Sequence, residues 1–174
     1  MKHKTFLAYD LVGVKNKEHS NYHTFRQLYE WQKMYPDRFD FLDLQNVFYS
    51  SDNEDMVDTT VKSNLLRVME DADNLVVVAS SVVDVDSPML NWMISRCVNR
   101  FHLPVIVCYA GLDRLNEGDI EAHWSWVPQK IKKYIGRDSA RMCHSPLTRD
   151  KLERAIEFFG VKERSYPWNS TTIF

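Results

Sequence analysis

The chain has 174 residues, 44% of them hydrophobic and 26% charged, with a formal net charge of -2. That length supports one ordinary domain whose core needs neither disulfides nor a structural metal. The balanced charge gives no electrostatic case for nucleic acid or an anionic membrane as a partner.

Cys97, Cys108 and Cys143 are odd in number and far apart, so they read as free thiols of a reducing compartment. Met1-Lys2-His3-Lys4 is basic, but the apolar run that follows stops at Asp10, too soon for a secretory core. No apolar run approaches membrane-spanning length. A cytoplasmic protein is expected.

Thr5-Phe6-Leu7-Ala8-Tyr9 opens as a short strand ending at Asp10, and the polar stretch from Lys15 to Asn21 is a loop. Phe25, Leu28, Tyr29 and Gln32 mark one face of a helix that Pro36 stops. Phe39 to Leu44 alternates in part, as an outer strand does. Gln45 to Met56 is long and polar, a length that in compact domains goes with function or mobility. Val61, Leu65, Val68 and Met69 then give an amphipathic helix.

Leu75 to Ala79 and Pro104 to Tyr109 are continuous apolar runs without alternation. Strands covered on both faces have this character. Between them Ser87-Pro88 supplies an N-cap and a proline at the first helical position, ahead of Leu90, Ile94, Cys97, Val98 and Phe101 at helical spacing. Gly111 to Glu121 reads as a polar loop. Val127, Ile131, Tyr134 and Ile135 pattern a helix within Trp124 to Ile135, and Ser139 to His144 is a weaker fifth strand. Thr148 caps a last helix carrying Leu152, Ile156 and Phe159, closed by Gly160. Residues 1–160 make the domain, and 161–174 a tail rich in aromatics but poor in structure signals.

Strands and helices alternate throughout, so the connections are right-handed crossovers between parallel strands. The expected fold is α/β: a flavodoxin-like, doubly wound sheet of five parallel strands in the order 2-1-3-4-5, with helices on both faces. Ligands of such sheets bind beyond the carboxyl ends of the strands, which directs attention to Ser80 to Ser87.

The chain has no G-x-G-x-x-G after its first strand and no G-x-x-x-x-G-K-[ST], which excludes the usual dinucleotide and P-loop fingerprints. His19 and His23 lack flanking carboxylates, so no metal is expected. Asp10 and Asp43 end the first two strands, as in a phospho-receiver. The aspartate and lysine that a receiver needs further on are replaced by Ser80-Ser81 and Tyr109-Ala110. Asp84, Asp86 and Ser87 are either a polar pocket for a ribose or phosphate, or two turn residues and a helix cap. Trp92 is either a stacking surface for a base or a packing residue. Trp124 and Trp126 are packing or interface residues.

Lys4 to Asp10 resembles the opening strand of TIR-like domains, and Leu66 to Ser80 resembles their second helix and third strand. Ser87-Pro88-Met89-Leu90-Asn91-Trp92 and Leu103 to Val107 resemble the helix and strand that follow. The resemblance covers Lys4 to Ala110 and points to the bacterial TIR-like group that includes the Thoeris anti-phage sensor proteins.

TIR domains that process NAD carry a glutamate on the helix after the third strand, directly after an aromatic. Here Met93 follows Trp92, and no glutamate occurs between Asp71 and Glu117. Methionine cannot serve as acid, base or charge stabiliser. The resemblance therefore implies a signalling or interaction module in anti-phage defence, sensing a partner or nucleotide signal and associating with itself or another signalling protein. The alternative is an NAD hydrolase or cyclase using Asp84 or Asp86; a nucleoside-processing transferase is a third reading. A nucleotide such as NAD, as ligand or substrate, would be lined by Tyr9, Asp10, Ser80, Asp84, Ser87 and Trp92.

Overall fold

The structure is a computed structural model that describes residues 2–9, 22–42, 44, 54–161 and 171–174. Its elements are β1 (Lys4–Ala8), α1 (Tyr22–Met34), β2 (Asp40–Phe41), α2 (Glu54–Glu70), β3 (Asn74–Ala79) and α3 (Pro88–Asn99). Then come β4 (Val105–Tyr109), α4 (Glu117–Ala122), a 3-10 turn (Trp124–Trp126), α5 (Gln129–Arg137), β5 (Met142–Pro146), α6 (Arg149–Phe158) and β6 (Thr171–Ile173).

All the strands join one parallel sheet in the order β2-β1-β3-β4-β5-β6. The flavodoxin-like α/β architecture and its 2-1-3-4-5 order are present, with one strand more than the sequence suggests. Thr171, Thr172 and Ile173 pair with Met142, Cys143 and His144 on the far side of β5. A strand of that length has no periodicity to read, so the end of the aromatic tail looked unstructured.

Three further boundaries differ. Glu117–Ala122 is helical where a loop was expected, because Asn116 and Asp119 cap each other's backbone amides reciprocally. Pro128 prevents one continuous helix from Trp124, so the chain makes a 3-10 turn and starts again at Gln129. β5 lies nearer its carboxyl end than expected, at Met142–Pro146. Thr148 stands at the N-cap of α6 but makes no side-chain capping bond.

The chain leaves β1 towards β2 and returns past β1 to β3. Right-handed crossovers therefore place α1 on one face and α2, α3 and α5 on the other. α6 lies beside α1: the Arg149 guanidinium sits 4.8 Å from the Tyr35 ring centre and donates to its hydroxyl at 2.7 Å. Arg38 and Glu153 form an ion pair between the same two segments. At the end of α6, Gly160 is close-packed: a Cβ there would stand 2.4 Å from the His3 ring.

β3 and β4 are buried along their whole length. The core continues through Leu28, Leu65, Ile94, Ile131, Leu152 and Phe159 from the flanking helices. Cys97, Cys108 and Cys143 are free and buried, and burial pushes all three thiols up, which makes them inert packing groups. Among the described residues no helix is long and apolar enough to cross a membrane. Asp10, His19, Asp43, the stretch from Gln45 to Asn53, Tyr166 and Trp168 lie outside the described residues.

Candidate functional site

In a doubly wound sheet the crevice opens where strand order reverses, here between the carboxyl ends of β1 and β3. Tyr9 and Ser80, the first residues beyond those two strands, are both buried and form its floor. The Tyr9 ring stacks on Phe25 of α1 at a centroid distance of 4.0 Å, and its hydroxyl stands 3.5 Å from that of Tyr29. Tyr29 in turn donates to the Leu42 carbonyl at 3.4 Å. Tyr9 thus ties β1, α1 and the end of β2 together, with one ring face given to Phe25.

The loop from Ser80 to Ser87 is built from local turns. The Ser80 hydroxyl accepts from the Val82 amide at 3.4 Å, and the Ser80 carbonyl from Val83 at 3.3 Å. Asp84 Oδ1 accepts from the Asp86 amide at 3.1 Å, an Asx turn, and the Asp84 carbonyl accepts from Ser87 at 3.1 Å. Ser87 Oγ accepts from the Leu90 amide at 3.1 Å and is buried as the N-cap of α3. One oxygen of Asp84 and the hydroxyl of Ser87 therefore have structural tasks. Asp84 and Asp86 are exposed. No basic residue occurs between Ser80 and Ser87, so two carboxylates set a negative potential at this rim. Sugar hydroxyls, as donors, suit it better than phosphate.

The residues expected to line a ligand site come from the ends of two strands and from the start of α3. Tyr9, Ser80, Asp84 and Ser87 follow the carboxyl ends of β1 and β3. Trp92 is half-buried between α2 and α3, with Lys62 Nζ 5.5 Å and the Arg96 guanidinium 5.8 Å from its ring centre. Two cations therefore stand near the indole. Met93, next in sequence, points the other way and is 0% exposed, packed in the core beneath α3.

Two features of this end of the sheet escaped sequence reasoning. Asn91 sits in the first turn of α3, where asparagine is a poor helix former. Its Nδ2 donates to the carbonyls of Val85 and Ser87, both at 2.9 Å, and its Oδ1 accepts from the Lys130 amide at 2.8 Å. Pro128, the N-cap of α5, offers no side-chain acceptor, so Asn91 and the Val85 carbonyl cap that helix from outside it, the latter taking the Gln129 amide at 3.1 Å. The one signal was a polar residue four positions after the helix cap.

The second is a buried pair under the sheet end: the Tyr109 hydroxyl and His144 Nδ1 are 3.0 Å apart. Burial lowers the His144 pKa to about 4 and raises that of Tyr109, so both are neutral through the physiological range. A histidine in an otherwise packed strand was its only trace in the sequence.

Among the described residues no group of three or more histidine, cysteine or acidic side chains is placed to hold a metal ion. No protein-family model matches the chain, and no curated protein matches it.

Proposed function

We propose that the protein is a TIR-like signalling or interaction module, acting in the bacterial cytoplasm and in anti-phage defence. It senses a partner or a nucleotide signal at the crevice beyond β1 and β3, and associates with copies of itself or with another signalling protein. The reading rests on the resemblance of Lys4 to Ala110 to TIR-like domains, and the parallel order around β1 and β3 agrees with it.

The observation that carries the non-catalytic form is Met93. NAD-processing relatives place a glutamate after the aromatic of this helix, whereas here the side chain is an apolar core residue with 0% exposure. Even a carboxylate at that position would be buried among apolar groups, away from any ligand and costly to ionise. The crevice offers a floor of Tyr9 and Ser80 and a rim of Asp84 and Asp86, which suits recognition of ribose hydroxyls.

One specific observation favours a second reading, NAD hydrolysis or cyclisation. Asp86 is exposed on the rim, and its carboxylate accepts none of the hydrogen bonds that shape the loop. The test is nicotinamide release from NAD by the purified protein at high concentration, beside Asp84→Ala and Asp86→Ala. Silence from a folded parent, with NAD or ADP-ribose binding weakened by the same substitutions, is the expected result. Turnover in the parent that either substitution abolishes would replace the module by the enzyme.

A further inference from the structure

Of the tryptophans among the described residues, Trp124 is the most open, at 37% exposure, although it stands in a 3-10 turn. It lies in the chain between two short helices of opposite charge. On one side α4 presents Glu117 and Glu121, four residues apart and both exposed. On the other, α5 contains no acidic residue and carries Lys132, Lys133 and Arg137. Lys132 Nζ lies 5.9 Å above the Trp124 ring, which ties that end of the basic surface to the indole. Among the described residues none of these five charges has an ion-pair partner. Opposite charges stand side by side in one chain and leave each other unpaired.

The geometry points to a second copy of this chain as the partner, docked across a twofold axis through Trp124. A twofold contact must be self-complementary, because each patch meets the image of the other. An acidic patch beside a basic patch satisfies that condition without any change of shape. Rotation about the midpoint lays α4 of one copy over α5 of its partner, and the reverse. The two tryptophans then meet at the axis, where a large, pre-ordered aromatic is most effective as an anchor. A polyanion would satisfy the basic side alone and be repelled by Glu117 and Glu121. The inference rests on the self-association included in the function proposed above and gives it a surface.

Light scattering coupled to size exclusion, on the full chain at low and high salt, tests it. The expected result is a closed dimer that salt weakens, since rim charges are screened within about 10 Å at 0.1 M salt. Glu117→Lys with Glu121→Lys should weaken it by about 100-fold, and so should Lys132→Glu with Lys133→Glu, because like charges then face each other. An equimolar mixture of the two double variants should recover dimer, which also shows that both are folded. Trp124→Ala should weaken the dimer without removing its salt dependence. A monomer at every concentration removes both the surface and the self-association. A dimer indifferent to the reversals, or an open series of higher species, removes this surface and leaves self-association by another face.

Discussion

Replacement of Asn91 by alanine tests whether one side chain couples the loop beyond β3 to α5. Its amide nitrogen makes two bonds, to Val85 O and Ser87 O, and its oxygen takes the Lys130 amide. Both carbonyls keep a second partner, from the Gln129 and Asn91 amides respectively. The two lost donor bonds should therefore cost about 1 kcal/mol each and no more. The Lys130 amide loses its capping acceptor, worth about another 1 kcal/mol. Alanine's better helix propensity returns about 0.5 kcal/mol. The net expectation is a loss of about 2.5 kcal/mol, or a fall in melting temperature of roughly 5–10 °C for a chain of this size.

Thermal unfolding followed by circular dichroism gives the number, and amide exchange gives the place: Gln129 and Lys130 should lose protection while β3 and β4 keep theirs. Asn91→Asp sharpens the test. It retains the acceptor for Lys130 but turns an oxygen toward two carbonyls, so it should be no better than alanine. A loss below about 0.5 kcal/mol for alanine, or protection that falls evenly through the molecule, would refute the coupling.

Two more outcomes are expected. His144 has its pKa lowered from 6.5 to about 4 by burial, so the unfolded chain binds the proton more readily than the folded one. Stability is then complete above pH 6.5 and declines as pH falls toward 4, by up to about 3 kcal/mol; urea titrations across that window should show the slope, and His144→Gln should flatten it. Thr5 and Asn74 are register partners on β1 and β3, both 0% exposed, and among the described residues neither the hydroxyl nor the amide atoms have a partner. Thr5→Val combined with Asn74→Leu removes these buried polar atoms, and the unfolding free energy from urea titration should stay level or rise by about 1–2 kcal/mol; a clear fall would mean that the polar groups are satisfied by internal water.

The parts of the fold that the sequence announces are those where local chemistry and tertiary environment agree. Leu75 to Ala79 and Val105 to Tyr109 are apolar on both sides because both sides are covered. Ser87-Pro88 starts α3 as its residue types require. The parts that were obscure depend on partners distant in sequence. Cys143, His144 and Ser145 look unlike a buried strand, and His144 is accommodated there by Tyr109 from the neighbouring strand. β6 forms where β5 offers an edge to which the β-branched Thr171–Ile173 can pair.

At the candidate site, Ser87 as a cap and Asp84 as a turn residue were among the readings open in the sequence. Asn91 was not legible, since its task spans three segments that only the fold brings together. The placement of Trp92 beside Lys62 of α2 was equally hidden. Spacing along a helix gives the side of the helix, and the neighbour on that side is a tertiary fact.

The outermost strands of the sheet, Asp40–Phe41 and Thr171–Ile173, are also its shortest. Among the described residues each offers only a few unsatisfied backbone groups, too few for an extended peptide to zip onto and hold. A rim blunted at both margins resists the edge-to-edge stacking that leads exposed sheets toward fibres. Among the described residues, then, neither margin of the sheet gives the protein's own backbone a long template for amyloid-like growth.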